Sequence, residues 1–274
     1  MPRTMHNPKL VLKRTIEKFI ANRGFIIDKV KNPDAVRDLL DRLHLVTTDI
    51  ELIRLGRLGD GGYLVPDDLV GLAACFSPGV GAESSFEADV ISRSIPCYQA
   101  DASVAAPPTP LPTLHFEKKF LGVVEDETTT TLDAWVKANA PGKDDLLLQM
   151  DIEGAEWSVL LNVSDEVLKR FRIIVLELHG MERLLDPFAF DVISATVKRL
   201  LSRFHVVHLH PNNHVPAHVI AGLTLPRDIE ATLLRRDRAD ATGYCISFPH
   251  PLDAPSVPHR PDYPLPHNWY HIST

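Results

Sequence analysis

One stretch limits the fold more than any other: Leu146-Leu147-Leu148-Gln149-Met150-Asp151-Ile152-Glu153-Gly154-Ala155-Glu156-Trp157. A short apolar run, of the kind buried on both faces of a parallel sheet, ends abruptly in a carboxylate. A second carboxylate and a glycine come next, and then residues that suit a helix. In an open α/β sheet, ligands bind outside the carboxyl ends of the strands. A strand ending in Asp151 therefore sets a charge at that edge. The local alternative is that Asp151 caps the next helix and Gly154 only makes the turn. Glu153 points to the other side if the strand's alternation continues, and reads as structural.

The rest of the chain repeats the same rhythm. Candidate strands are Leu72–Phe76, Ile95–Ala100, a segment within Leu114–Val124, Arg172–Gly180 and His205–His210. Helical segments alternate with them, which predicts a parallel sheet. Ile229–Leu234 alternates and reads as an antiparallel partner, and Tyr244–Phe248 as one more short strand. Two helices precede the sheet. Asn7 and Asn32 are placed to cap them, Pro8 and Pro33 to open them. Leu12, Ile16, Phe19 and Ile20 line one face of the first; Val36, Leu39, Leu40 and Leu43 line one face of the second. The pair reads as a cover or a dimer element. From Pro249 the chain carries seven prolines by Pro266, a composition that suits neither ladder nor helix interior, so an extended tail is predicted there with Trp269 and Tyr270 as anchors. This divides the chain into a helical extension (1–48), one α/β domain (49–248) and a tail (249–274).

Several function classes are disfavoured by composition. A formal charge of −7 argues against a nucleic-acid surface built on net charge. No window is long and apolar enough to span a bilayer. The start, Met1 to His6, has no apolar stretch after it of the secretory kind. Cys75, Cys97 and Cys245 lack metal-ligand spacing and read as core thiols of a reducing compartment. A cytoplasmic protein is the expectation.

Five places carry chemistry. Asp60-Gly61-Gly62 is turn chemistry before a short strand. Ser77-Pro78-Gly79-Val80-Gly81 comes after a buried strand and leads into Ser84-Ser85-Phe86-Glu87, a capping-box pattern that opens a helix. Strand, glycine loop and helix start let backbone approach a nucleotide-like ligand closely. Asp101 ends the next strand about 20 positions on, the spacing of an acid that holds ribose hydroxyls. Glu177 and His179, two apart on a strand, share a face at the same edge, and so do His208 and His210. With thirteen histidines in the chain, any single one has a structural reading beside the functional one.

Together, Asp60–Leu64, Phe76–Gly81, Phe86-Glu87, Thr131-Leu132-Asp133, Gln149–Glu156, Glu177-Leu178-His179 and His208–Asn213 resemble the FkbM-type branch of the class I S-adenosylmethionine-dependent methyltransferases, over roughly residues 50–236. The resemblance implies an α/β, Rossmann-like, doubly wound and mostly parallel seven-stranded sheet, with an antiparallel strand near one edge. It implies S-adenosylmethionine contacts from Asp60, Gly61, Ser77, Gly79, Gly81, Asp101 and Asp151, with adenine near Val123–Glu125. Asp151, Glu177, His179 and His210 would be catalytic, with Asn213 lining the acceptor pocket. Ser77 stands where the common pattern has an acid, and Ala82 where it has a glycine.

The implied activity is methylation of a hydroxyl on a small molecule or glycan. His179 or His210 would act as general base, oriented by Asp151 or Glu177. A rival account has Asp151, Glu177 and a histidine holding a divalent cation. Homo-oligomers would form through the N-terminal helices. Two other classes share the glycine loop and ribose acid: a nicotinamide-dependent oxidoreductase and a non-catalytic nucleoside-binding protein.

Overall fold

The computed structural model describes residues 8–24 and 29–271. The Asn7 cap and the segment Met1–His6 lie outside the described residues. Seven strands form the central sheet: β1 (Ala74–Pro78), β2 (Cys97–Ala100), β3 (Leu114–Glu117), β4 (Leu146–Met150), β5 (Phe171–Leu178), β6 (Phe204–Pro211) and β7 (Ile229–Arg235). Their order is β3-β2-β1-β4-β5-β7-β6. Strand β7 runs antiparallel to both neighbours, and the other adjacent pairs are parallel. This is the doubly wound, mostly parallel seven-stranded sheet with one antiparallel strand near an edge that the resemblance implies. The order reverses between β1 and β4, so a crevice opens at their carboxyl ends.

Apolar runs make this sheet because both of its faces are covered. Leu146 and Leu148 of β4, with Ile174 and Leu176 of β5, pack into the larger core; Leu147, Ile173 and Val175 pack into the smaller one on the opposite face. The helices are α1 (Pro8–Ala21), α2 (Pro33–Arg42), α3 (Ser85–Ser92), α4 (Leu132–Asn139), α5 (Glu156–Asn162), α6 (Asp165–Leu168) and α7 (Pro187–Leu201). Helices α2 and α4 to α7 bury side chains in the larger core; α3 and the hairpin Leu52–Leu55/Tyr63–Pro66 close the smaller one.

Local chemistry sets most helix starts. The Asn32 carboxamide accepts from the Asp34 amide ahead of Pro33, the Thr131 hydroxyl from the Ala134 amide, and the Asp186 carboxylate from the Ala189 amide ahead of Pro187. The capping box expected at Ser84 and Glu87 does not form. The Ser84 side chain makes no cap bond, the Ser85 amide donates to Glu83, and Glu87 turns inward to Ser77.

Other departures have equally local causes. The segment Leu114–Val124 splits at the charged Glu117-Lys118-Lys119: β3 ends, and Phe120–Gly122 pairs instead with Thr129–Thr131. Of Tyr244–Phe248 only Tyr244 is in a strand; with Gly243 it pairs with Val46–Thr47. The two N-terminal helices part company. Helix α2 buries Val36, Leu39 and Leu40 in the larger core, whereas Leu12, Ile16 and Phe19 of α1 are exposed.

Among its described residues the proline-rich segment holds no strand, and its one regular element there is a 3₁₀ turn at His267–Trp269. It is nonetheless packed. Trp269 is fully buried in the larger core, and its indole N–H donates to the Thr224 carbonyl at 2.9 Å. Trp269→Ala is therefore expected to cost about 3–5 kcal/mol, the range for removing a buried aromatic. Urea unfolding should show the midpoint falling accordingly; an unchanged midpoint would mean that the anchor is dispensable.

Candidate functional site

The crevice begins at the glycine loop after β1. Gly79 has φ +88°, and a Cβ there would stand 1.8 Å from the Asp151 carbonyl oxygen. Only glycine lets this loop pass so close to the turn after β4. Gly81 has nothing within 4 Å of where a Cβ would lie, so this part of the loop faces open space. Asp101, at the end of β2, accepts from the Val80 amide at 2.9 Å and from the Ser103 amide at 2.7 Å. One carboxylate thus ties the glycine loop to the loop after β2. Asp60 and Gly61, at the hairpin tip, complete the rim of a cleft of about 500 Å³.

Ser77 does not reach the cleft surface. It is fully buried, with its Oγ 2.5 Å from Glu87 Oε1 and 2.6 Å from Gln149 Oε1. Val123 and Val124 are exposed, and Glu125 bonds back to the Thr131 amide; Phe120 and Leu121 line the cleft in their place.

The second half of the site is built on the turn after β4. The strand ends at Met150, so alternation does not govern the residues beyond it. Glu153 has φ +57° and Gly154 φ +102°. Asp151 is not a helix cap, because Ala155 occupies that position in α5. Nor is Glu153 turned away from the site: its carboxylate lies 3.7 Å from His179 Nε2. The residue that holds the turn is Glu156, whose Oε1 accepts from the Ile152 amide at 2.8 Å and the Gly154 amide at 3.3 Å. The same oxygen lies 3.2 Å from His179 Nδ1. Trp157 Nε1 donates to the His179 carbonyl at 2.8 Å. His179 is therefore fixed at ring and backbone, with Nε2 left facing Asp151 at 3.8 Å. Sequence reasoning missed Glu156. The signal was present as an acid in the first turn of a helix just after a glycine turn.

A smaller cavity of about 250 Å³ adjoins the cleft, lined by Glu177, His179, Asn212, His214 and Arg227, and by Ser256 and Val257 of the tail among others. Asp60, Asp151 and Glu153 border both spaces. Glu177 is 5% exposed and accepts from Asn212 Nδ2 at 2.8 Å. Burial raises the Asp151 carboxyl to about 6, against the pull of His179. Burial also raises Glu177, to about 9, and Asp151 and Glu230 add to the rise. For His179 burial works downward, but the bond to Glu156 and the charges of Glu156, Glu177 and Asp151 prevail and lift it to about 9. At neutral pH the ring is an imidazolium beside Asp151, while Glu177 keeps its proton. Among the described residues, Asp151, Glu177 and His179 also form a group whose ligand atoms all lie within 4.8 Å of one another, close enough to share one metal ion.

His210 is not brought to this cavity. It is buried on β6 beside Glu230, and its Nε2 lies 3.1 Å from Asp262 of the tail. Burial pulls its pKa down, but the bonds to Asp262 and Glu230 prevail and lift it to about 10. Its Nε2 is taken by Asp262, and its Nδ1, 3.6 Å from Glu230, is buried away from the cavity. Asn213 is likewise turned to the tail, donating to the Val257, Arg260 and Pro261 carbonyls. Its neighbours Asn212 and His214 line the cavity instead.

The clearance at Gly79 yields a direct test. Gly79→Ala combines a left-handed φ with a backbone clash, and destabilisation of at least about 1–3 kcal/mol is expected. Thermal melting checks this; an unaltered melting temperature would show that the two loops do not pack as described.

Residues 89–204 match the family described as "Methyltransferase FkbM domain". The match takes in Asp101, Asp151, Glu177 and His179 and begins after the glycine loop. No curated protein matches the chain. Among solved structures, one described as "Structure of the Pyocyanin Biosynthetic Protein PhzM" is 12% identical, with a TM-score of 0.23 over 61% of this chain and 51% of that one. This chain thus spans about half the length of that protein. Residues 89–204, which hold the strand ends of the site, are thus similar to the FkbM methyltransferase domain.

Proposed function

We propose that the chain is an S-adenosylmethionine-dependent methyltransferase acting on a hydroxyl of a small molecule or glycan. One observation carries this reading. His179 Nε2 stands beside Asp151, which borders both the larger cleft and the smaller cavity, so a base sits between a cofactor space and an acceptor space. The open backbone at Gly81 and the acid at Asp101 suit the cofactor's methionyl and ribose parts. The carboxylates and the Asn212 amide around the smaller cavity suit an acceptor rich in hydroxyls, which they bind as acceptors and donor.

S-adenosylmethionine supplies a methyl group on a sulfonium, open to in-line displacement. Most of the rate then comes from alignment. Neutral His179 takes the hydroxyl proton at Nε2, while Nδ1 keeps its hydrogen toward Glu156, whose carboxylate fixes the tautomer and the ring plane. A base so placed contributes about 10²–10⁴-fold. Because the ring is raised to about 9, its neutral form grows roughly tenfold per pH unit below that value. The transfer rate is accordingly expected to climb from pH 7 and level off near pH 9. A rate flat across this range would remove His179 as base.

Calorimetry tests the cofactor. S-adenosylhomocysteine should bind, and Asp101→Ala should weaken it by about 1–3 kcal/mol through lost charged hydrogen bonds. Tight NAD binding without S-adenosylhomocysteine binding would favour an oxidoreductase instead. A second reading of the base rests on the convergence of Asp151, Glu177 and His179. There, the three hold a divalent cation that acidifies the acceptor hydroxyl. Full activity in chelator would eliminate it.

A further inference from the structure

Three neighbouring strands present polar side chains at one level on the face that α3 covers: Gln99 of β2, Ser77 of β1 and Gln149 of β4. Such a row beneath an apolar helix needs a partner, and α3 supplies one in Glu87. Its Oε1 lies 2.5 Å from Ser77 Oγ, and the side chain is 6% exposed while bordering the cleft. Burial raises its carboxyl above the ordinary range, opposed by bonds from Ser77 and Gln99. Around the cleft, six carboxylates (Asp60, Glu83, Glu87, Asp101, Asp151 and Glu153) stand against one cation, Arg57. A second buried acceptor points the same way. Gln99 Oε1 is without a hydrogen-bond partner, although the residue is 2% exposed and lines the cleft. Buried acceptors are satisfied in native structures, so Gln99 Oε1, beside Glu87, calls for a donor brought by the ligand.

We infer that Glu87, with Gln99, receives the cationic amino-acid end of the cofactor, taking from helix α3 the carboxylate that β1 lacks at Ser77. The assignment rests on the cofactor reading above and deepens it. Glu87 meets Ser77 of β1 and takes a bond from Gln99 of β2, beneath the glycine loop that Asp101 ties down. Asp101, Glu87 and Asp151 border one cleft, so a ligand whose ribose lies at Asp101 can set its other end against Glu87. An ammonium placed there donates to a charged acceptor in a water-poor site, the strongest class of hydrogen bond. Glu87 is a positioning residue: it fixes the donor's tail so that the methyl group faces the acceptor cavity.

Two ligands separate this role from a structural one. S-adenosylhomocysteine carries the ammonium; 5′-methylthioadenosine keeps adenine, ribose and sulfur but lacks the amino-acid end. By calorimetry, Glu87→Gln should weaken S-adenosylhomocysteine tenfold or more and leave methylthioadenosine within twofold. Adding Ser77→Asp to Glu87→Gln should recover most of the loss by returning a carboxylate from the strand side. Equal weakening of both ligands, or of neither, overturns the assignment. If Glu87→Gln does not fold, Glu87→Asp carries the same test, with a smaller selective loss expected and an equal effect on both ligands again fatal. A wild-type protein that binds neither ligand refutes the cofactor reading itself, an outcome distinct from the failure of Glu87.

Discussion

The site depends on one carboxylate, that of Glu156. It is fully buried at the head of α5, and it replaces the water that the Ile152 and Gly154 amides would otherwise lose. An unpaired buried donor costs about 1–3 kcal/mol, so a single oxygen accepting from two amides makes the sharp turn tolerable. The same oxygen receives the His179 ring, which couples the shape of the β4 turn to the orientation of a residue just past β5. Asp151 is carried on the same turn, against the glycine loop. Removing Glu156 would release the turn and the histidine and uncover the Gly79 contact.

Around this point the molecule concentrates charge where burial makes charge expensive. Glu177, Glu230 and His210 are register partners across β5, β7 and β6. Asp262 from the tail closes the row beyond His210, and Asp253 does the same for His208 at 2.8 Å. Isolated, these groups would neutralise or unfold the edge. Paired, they anchor a segment that composition alone describes as a loose tail. The tail then contributes Ser256 and Val257 to the smaller cavity, so its packing and the shape of the site are one problem.

The division of labour between the two cavities arises from topology. The crevice exists because successive strands depart in opposite directions from β1 and β4, and the glycine loop and the β4 turn are the two chain segments that leave there. The larger cleft takes its acids from β2, from the hairpin tip and from α3; the smaller one takes its polar groups from β5, from the segment after β6 and from the tail. Asp60, Asp151 and Glu153, common to both, mark the plane where a group would pass from one to the other.

The sequence by itself determined the sheet. Runs such as Leu146–Met150 and Phe171–Leu178 can be satisfied only by burial on both faces, and the polar residues that end them must then lie at one edge. That is why Asp101, Asp151, Glu177 and His179 were legible as candidates. The tertiary structure decided which of them meet and what orients them. His210 and Asn213 fit the same periodicity as His179, yet turn to the tail, because partners about 50 residues away in sequence compete for them. Glu156 and Glu87 looked like ordinary first-turn acids, and became buried anchors because one meets the amides of the β4 turn and the other the Ser77 hydroxyl of β1. Periodicity reports the face on which a side chain lies; the partner it finds there depends on which distant segment the fold brings against it.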